Sequence, residues 1–296
     1  MAPRCLSFCL AVMAVGASMA EPAHSQEQIA NSSAPFITLR MAGDSAVVGH
    51  YKFTVKQRQR LAFDIPADDP RAELLASASV PKATGTEIAA TIVSTPRASD
   101  EDRRYLAYWL GYRVTGDAVE TLSPFQWDTL FQQTGRRAVL TFSARGHPRG
   151  VQVSSDAHRP VGQALADALS AMALALPEDS VTEGTRWEDY VAMTLEAPDG
   201  SGFVAAVQVT YRLREIQTGP DGTYARIEFD GEPVPGAGDA GVQVSGRYFG
   251  ESVFAVDRGR YERLMAIANL EIEWEDTSGL PPSRSFVDWE AQFDGR

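Results

Sequence analysis

The chain has 296 residues, of which 27 are lysine or arginine and 39 are aspartate or glutamate, so its formal net charge is -12. An acidic chain without a basic cluster lacks the counterion release on which binding to a phosphate backbone depends. The composition therefore argues against a nucleic-acid partner. A chain of this length also buries enough core to fold without disulfide or metal staples.

The first twenty residues have the three parts of a secretory signal peptide. Arg4 lies near the start, an apolar run covers residues 6–15, and small residues at 17–20 form a cleavage motif, so we expect cleavage after Ala20. Both cysteines, Cys5 and Cys9, fall inside this segment and leave the mature chain without a thiol. Residues 21–35 are typical of a flexible lead-in. No stretch approaches the roughly 20 apolar residues of a membrane span, so we expect a periplasmic or secreted protein with no transmembrane segment.

Alternating apolar and polar residues, the period-two pattern of β-strands, dominate the first half of the chain. The pattern predicts strands over 36–40, 47–63, 86–95 and 103–116, and a hairpin over 138–155 that turns at Gly146 to Pro148. The strand over 103–116 is apolar on both faces, so we expect it to be central or to line a cavity. Segment 119–135 is typical of a short helix or a turn.

The pattern changes to helical spacing between residues 160 and 176. Pro160 and Pro177 mark the two ends, and one stripe carries Val161, Leu165, Leu169, Met172 and Leu176. Beyond residue 178 the period of two returns and predicts strands over 184–197, 202–215, 223–230 and 285–293. A large hairpin over 241–276, with its tip at 257–259, lies between the last two of these strands.

These elements predict a mainly β (α+β) fold: a curved antiparallel sheet or half-barrel with the long helix packed against it. Residues 36–296 would form one β-rich domain. Two similar halves, 36–157 and 178–296, joined by helix 160–176, remain open as an alternative, because each half contains a hairpin whose tip carries an arginine and a glycine.

No pattern of catalytic or metal-binding residues stands out. The histidines at 24, 50, 147 and 158 are dispersed, so we predict neither a metal site nor a cofactor. His147 lies in a tight turn, where a solvated side chain is favoured over a general base. Glu271, Glu273 and Glu275 share one strand face and would suit acid and base roles only if that face lined a cleft. A solvated outer face that discourages edge pairing is the favoured interpretation, and we predict no catalytic residue.

The aromatic residues of the strand over 103–116 indicate a binding site more clearly. Strict alternation places Tyr105 and Trp109 on one face and Tyr108 and Tyr112 on the other. One pair must enter the core, and the other either packs beneath the helix or lines an apolar concavity, the usual site of a small molecule or lipid. We predict that a ligand contacts inward-facing aromatic residues of the long strands: Tyr105, Trp109, Tyr211 and Trp274.

Two short motifs resemble those of uncharacterised secreted bacterial β-rich proteins. These motifs are the Leu-Pro at 176–177 and the Gly-Thr-Arg-Trp at 184–187, and the resemblance extends over about residues 130–290. By architecture the chain is also similar to periplasmic lipoprotein carriers of the LolA and LolB type. That likeness implies a curved antiparallel sheet closed by helices around an apolar cavity. Those carriers are shorter, however, and LolB-type members bear a lipidated cysteine that the mature chain lacks.

The expected function is therefore that of an exported non-catalytic protein. It would bind or carry a lipid or another apolar ligand, or act as an interaction module with a protein of the cell envelope. The alternative is a periplasmic hydrolase acting on glycans or esters, for which the three glutamates or His147 would have to lie in a cleft. A purely structural protein with a filled core would show neither feature.

Overall fold

A computed structural model of the chain describes residues 35–41, 48–66, 68–94, 102–116, 137–153, 175–196, 202–236, 242–274 and 281–295. All of them belong to one compact unit, Ala34–Arg296. They form one short helix and eleven strands, in the order β1 (Val48–Phe63), α1 (Ala72–Ala78), β2 (Lys82–Ser94), β3 (Asp102–Gly116), β4 (Arg137–Ser143), β5 (Pro148–Val153), β6 (Arg186–Glu196), β7 (Gly202–Gly219), β8 (Gly222–Pro233), β9 (Val242–Ala255), β10 (Arg260–Trp274) and β11 (Ser283–Gly295).

The eleven strands form a single antiparallel sheet in the order β5-β4-β3-β2-β1-β11-β10-β9-β8-β7-β6. The first and last strands are neighbours in its middle, where thirteen residue pairs join β1 to β11. Strands β5 and β6, which follow one another along the chain, lie at the two opposite edges. Each half of the chain therefore contributes one continuous block of the sheet.

Strict alternation along the long strands determines which face is buried. On β10 every second residue from Leu264 to Ile272 is at most 4% exposed, whereas Met265 between them is 37% exposed. The same alternation recurs on the neighbouring strands, and the buried residues of both halves belong to one hydrophobic cluster. One face of the sheet is thus the core and the other faces solvent.

The sheet curls until its two edges meet. Nine to ten strand spacings separate the turn after β4 from β6, which in a flat sheet would be roughly 45 Å. Yet Nη2 of Arg145 in that turn lies 3.1 Å from Oδ2 of Asp189 in β6. Such a contact requires strong curvature, and the inner faces of both halves then enclose a common interior.

The predicted α+β class with one long helix is wrong. Among the described residues the regular structure is almost entirely strand, and the helix α1 has seven residues. Residues 160–174 of the expected helix lie outside the described part of the chain. Its last two residues, Ala175 and Leu176, are buried in non-helical backbone. Their polar groups bond to the sheet instead of to a helical turn: Leu176 N donates to Arg145 O at 2.8 Å, and Trp187 Nε1 donates to Ala175 O at 3.0 Å.

The segment 35–41, expected as a strand, makes a single β-bridge between Ile37 and Val181. Leu39 is fully buried, and Met41 N donates to Ala144 O in the turn after β4. This segment therefore covers the core at the end of the sheet where β4 turns into β5. In the part of the chain that the structure describes, no helix has the length and apolar character needed to cross a bilayer.

Candidate functional site

An apolar cavity of about 70 Å³ lies in the interior of the curled sheet, between strands of the first block and the hairpin of β10 and β11. Ten residues line it, and nearly all of the lining is apolar. They are Met41, Tyr51, Phe53, Ile92, Tyr105, Leu140, Phe142, Arg260, Tyr261 and Phe293.

Aromatic packing fixes the walls of this cavity. The ring of Phe293 in β11 lies 4.8 Å from the ring of Tyr51 and 4.9 Å from that of Phe53, both in β1. On the opposite wall the rings of Tyr105 and Phe142 meet edge to face at 5.8 Å. Because aromatic pairs of this kind have defined geometry and bury large areas, the cavity is bounded by a preformed wall.

Two glycines make room for the Tyr51 ring. A Cβ on Gly49, two residues before it, would lie 2.5 Å from the ring, and a Cβ on Gly295, its partner in β11, would lie 2.9 Å away. Real Cβ atoms do not approach other atoms so closely, so a larger residue at either position would displace the ring. The cavity wall thus depends on glycines that the sequence places on both sides of Tyr51.

Arg260 at the start of β10 is the charged residue among those that line the cavity. Its Nε donates to Oε1 of Glu262 at 2.9 Å, and the arginine side chain is 13% exposed. Burial lowers the pKa of Arg260, but hydrogen bonds to Glu262 and to Tyr51 outweigh this effect and the pKa is raised overall. The cavity wall therefore holds a permanent cation.

Burial keeps the hydroxyls of the two tyrosines that line the cavity, Tyr51 and Tyr105, protonated. Burial raises the pKa of Tyr51, although the positive charge of Arg260 partly offsets the increase. Burial likewise raises the pKa of Tyr105, with the positive charge of Arg103 opposing it. Because a neutral tyrosine hydroxyl can both donate and accept a hydrogen bond, the polar end of the cavity combines the Arg260 cation with the neutral hydroxyl of Tyr51.

Glu262 is shared between two arginines. It accepts from Arg260, and its Oε1 also lies 3.2 Å from Nη1 of Arg258 at the tip of the hairpin between β9 and β10. The buried carboxylate of Glu262 thus pairs with buried Arg260, while Arg258 is 46% exposed at the hairpin tip.

Of the four residues predicted to contact a ligand, the structure places one at the cavity. Tyr105 lines it, whereas Tyr211 is buried elsewhere in the core and stacks on Trp187 at 5.4 Å. Trp274 packs edge to face against Phe203 at 5.0 Å, away from the cavity. The backbone of residue 109 pairs with Ala90, but the side chain of Trp109 lies outside the described part of the structure.

Sequence reasoning missed the two most informative cavity residues, Tyr51 and Arg260. Tyr51 could have been found, because it alternates with Phe53 on the inner face of β1. Arg260 and Tyr261 could not, since the register between β10 and β9 shifts between Tyr261 and Arg263. A bulge of this kind breaks strict alternation, and it lets both Tyr261 and Leu264 enter the core.

His147 lies outside the cavity, at a cluster that we call the seam: Arg145, His147, Glu178 and Asp189. Arg145 donates from Nε to Leu176 O at 2.7 Å, from Nη1 to Glu178 at 3.0 Å and from Nη2 to Asp189 at 3.1 Å. Nε2 of His147 lies 3.1 Å from the same Asp189 oxygen. The seam therefore ties the turn after β4 to the edge strand β6.

The surroundings of the His147 imidazole favour its neutral form. Burial lowers its pKa, and the nearby charge of Arg145 acts in the same direction, while Asp189 partly offsets both effects. A neutral imidazole can donate a hydrogen bond from Nε2 to Asp189, the carboxylate that also accepts from Arg145. Connected hydrogen bonds of this kind help to hold the two edges of the sheet together.

The glutamates of β10 lie on the outer face. Glu271 and Glu273 lie 3.7 Å and 3.3 Å from the guanidinium of Arg284 in β11, and all three side chains are more than a third exposed. Glu275, the third member of the predicted set, lies outside the described residues. A glycosidase needs two carboxyl groups that flank a bound sugar in a cleft, and carboxylates ion-paired on a solvated outer face do not provide that arrangement.

No family model matches the chain, and no curated protein matches it. The chain is similar to three solved structures at low levels. The hypothetical lipoprotein YmcC from Escherichia coli K12 has 9% identity over 79% of this chain and 85% of that chain, with a TM-score of 0.26. DynF from the dynemicin biosynthesis pathway of Micromonospora chersina has 8% identity over 89% and 86%, with a TM-score of 0.21.

The third is an outer membrane channel from Pseudomonas putida F1, with 10% identity over 86% of this chain and 99% of that chain and a TM-score of 0.16. One of the three neighbours is thus a lipoprotein and another an outer membrane channel. TM-scores this low carry no argument about function. The comparisons therefore assign the chain to no family, and its function has to be argued from the cavity and the seam.

Proposed function

We propose that this chain is an exported, non-catalytic protein that binds a small apolar or amphipathic ligand inside its curled sheet. The observation that carries the proposal is the cavity itself: an apolar space bounded by packed rings, with a polar end made of Arg260 and the Tyr51 hydroxyl. Binding sites for small molecules combine an apolar lining with a few placed polar groups in the same way.

The size of the cavity limits the ligand. About 70 Å³ is well below the roughly 300–1,000 Å³ of pockets for drug-sized molecules. It is also about half of the roughly 150 Å³ that holds one benzene molecule, so it takes only a few carbon atoms, such as the end of one aliphatic chain, and is too small for a lipid with two acyl chains. The proposed ligand is therefore a short single-chain compound.

The hydrolase alternative receives less support. It would need the glutamates of β10 or His147 at the mouth of a cleft, but Glu271 and Glu273 are ion-paired on the outer face. The imidazole of His147 shares Asp189 with Arg145 at the seam, where the same carboxylate holds the sheet edges together.

Native mass spectrometry of the mature protein, purified from the periplasm of its own cells, tests the proposal directly. We expect a bound species that is released on denaturation and contains an aliphatic chain. The apo protein should then bind octanol in a calorimetric titration. A clean apo mass together with no binding of octanol or any other single-chain compound would contradict the proposal.

A further inference from the structure

We propose that the open edge of β6 is a docking site for an extended, basic segment of another protein, which adds to the sheet as one further strand. The site lies at the rim of the sheet and does not depend on the ligand proposed for the cavity. Three features support it: the direction of the β6 backbone groups, a groove beside them and the charge of that groove.

β6 is the last strand of the sheet, so one side of its backbone faces away from β7. Val234 N donates to Ala206 O at 2.8 Å, which shows that the backbone groups of Ala206 in β7 point away from β6. In antiparallel strands the backbone groups of successive residues point to opposite sides, so those of Val207 point to its partner Val191 in β6. Alternate residues of β6 therefore direct their backbone groups to the open side. They are Arg186, Glu188, Tyr190 and Ala192.

The two edges of the sheet differ in their protection against pairing with another chain. β5 has 6 residues, begins with Pro148, and its pairing with β4 shifts register between Thr141 and Phe142. Short length, proline and bulges are the common protection of an edge strand. β6 has 11 residues, contains no proline and pairs with β7 in unbroken register. Of the two edges, β6 is therefore the one suited to accept a further strand.

A groove of about 660 Å³ lies along this edge. It touches every residue over 185–190, and because successive side chains point to opposite faces, a groove that touches all of them follows the edge of the strand. Its opposite wall is the segment 177–181. The bridge between Ile37 and Val181 and hydrogen bonds from Arg40 to two carbonyl groups hold that segment in place. The groove is therefore preformed, as a site for an extended chain requires.

The seam leaves the backbone edge of β6 accessible. Arg145 and His147 reach β6 through their side chains, each at 3.1 Å from Oδ2 of Asp189. Among the described residues no backbone hydrogen bond joins β5 to β6. Tyr190, on the face opposite to that of Asp189, is 61% exposed. A partner segment can therefore approach β6 from outside while the seam stays intact.

The charged residues of the groove determine which partner fits. Two arginines and four carboxylates line it: Arg145, Arg186, Glu178, Asp179, Glu188 and Asp189. Arg145 is already engaged by Glu178 at 3.0 Å and by Asp189 at 3.1 Å. The remaining charges include two carboxylates and one guanidinium, so the groove as a whole is acidic.

The carboxylate of Glu188 is the one best placed to meet a partner strand. It lies on β6 itself and accepts a hydrogen bond from the neutral amide of Gln208 at 3.2 Å. No lysine or arginine of the described residues lies within ion-pair distance of Glu188 or Asp179. Opposite charges that face each other across neighbouring strands stabilise the pair, and like charges destabilise it. A lysine or arginine opposite Glu188 is thus favoured, and an acidic segment is disfavoured.

The test measures peptide binding to the full mature protein by fluorescence anisotropy near pH 7.5. The probe is a labelled peptide of eight residues that alternates lysine and valine, and a peptide with glutamate in place of lysine should bind about tenfold more weakly or less. Two further peptides carry N-methyl groups on all lysines or on all valines. Because the N–H groups of only one set point toward β6, methylation of that set should weaken binding by about tenfold or more, and methylation of the other set should not.

Two substitutions at position 188 separate charge from backbone pairing. Glu188→Gln keeps the backbone and removes the charge, so affinity for the lysine peptide should fall several-fold. Glu188→Pro also removes an N–H on the open side, where an edge strand tolerates proline, and should abolish binding in a protein whose thermal unfolding remains cooperative. The control is Glu228→Gln, which removes a carboxylate paired with Arg214 on the outer face of β8 and should not change the affinity.

Each contrary result removes one part of the proposal. Equal affinity for the lysine and glutamate peptides would overturn the choice of a basic partner, and equal affinity for the two N-methylated peptides would overturn pairing with the strand edge. A wild-type dimer in analytical ultracentrifugation that Glu188→Pro dissociates would show that a second copy occupies the edge, which also contradicts the proposal. Failure of every peptide to bind would overturn it entirely, and the proposed ligand binding in the cavity would be unaffected.

Discussion

Replacing Ile92 by tryptophan should fill the cavity, stabilise the protein and abolish ligand binding. Ile92 lies on the inner side of β2 and lines the cavity. Its neighbours in register are Gly49 on β1 and Ala107 on β3. The space over Gly49 is filled by the Tyr51 ring, so a larger ring at position 92 can reach the empty space only on the side of the small Ala107.

The magnitude follows from the cavity volume. Cavities in protein cores cost about 24 cal/mol per Å³, so the cavity of about 70 Å³ corresponds to about 1.7 kcal/mol. This is the largest gain that complete filling can give to the free energy of unfolding of the apo protein. For a chain of this size we expect a rise in Tm of about 3 °C.

Urea unfolding and thermal scans of the apo protein measure the gain, and repeating both with octanol measures the loss of binding. The wild-type Tm should rise with octanol relative to a solvent control, as expected for a ligand that binds only the folded state, and the Tm of Ile92→Trp should not. Ile267→Trp is the matched control, because Ile267 lies on the outer face of β10 between the buried Ala266 and Ala268. The control should leave the effect of octanol on Tm unchanged.

Two results would refute this reasoning. If Ile92→Trp lowers the free energy of unfolding by the roughly 1–3 kcal/mol typical of overpacking, then the space beside Ile92 is not available to a side chain. If the variant is stable but keeps the full effect of octanol on Tm, the ligand binds elsewhere.

Three further predictions concern the seam and the sheet. Asp189→Asn should lower the free energy of unfolding by about 1–3 kcal/mol, because it removes the charged acceptor of Arg145 and His147. Urea denaturation measures this loss, with Glu188→Gln as the control. A loss no larger than that of the control would contradict the prediction. The lowered pKa of His147 means that the unfolded chain binds a proton more readily, so stability contributed by this group is present above about pH 6.5 and is lost as pH falls below it. Unfolding curves between pH 5 and 7.5 should therefore depend less on pH in His147→Gln, and equal slopes in both proteins would count against the argument. Gly250→Val should lower the free energy of unfolding by about 2 kcal/mol or more, because a Cβ at this position would lie 2.0 Å from the carbonyl oxygen of Met265 and 2.5 Å from the Phe229 ring. A thermal melting curve like that of the wild type would disprove this prediction.

The strands were predictable because their pattern is local. The prediction of a strand over 47–63 corresponds to β1, Val48–Phe63, and the large hairpin over 241–276 corresponds to β9 and β10. Alternation predicts which residues of a strand share a face, as it does for Leu264 and Ile272. It does not predict which strands become neighbours, so the pairing of β1 with β11 was not foreseen.

The error in fold class has a physical origin. The helical spacing over 160–176 indicates only which side chains would share one face of a helix. An apolar residue such as Leu176 fits that spacing, but it can equally be buried against the sheet in non-helical backbone. Two hydrogen bonds fix Ala175 and Leu176 in non-helical backbone. Leu176 N donates to Arg145 O, and Trp187 Nε1 donates to Ala175 O, so both bonds join residues that are not neighbours in sequence. A periodicity argument does not include contacts of this kind.

The candidate site was only partly predictable for a related reason. Tyr105 was chosen because a strand with aromatic residues on both faces must place some of them inside. Arg260 was not chosen, because a charged residue at the start of a strand is ordinarily solvated. In addition, the bulge between Tyr261 and Arg263 changes which residues of β10 face the core. A cavity wall made by β1, β2, β3, β4, β10 and β11 depends on the curl of the whole sheet.

The pairing of β1 with β11 has a consequence for the order of events during synthesis. Residue 63 of β1 pairs with residue 283 of β11, so β1 is made long before the strand that covers one of its edges. At 5–20 residues per second, a ribosome needs on the order of 10 to 45 s to make the intervening chain. Throughout that time one edge of the nascent first block is unprotected, and exposed edges template pairing with other chains. A chaperone that holds the nascent chain extended until β11 emerges would therefore increase the yield of the completed sheet.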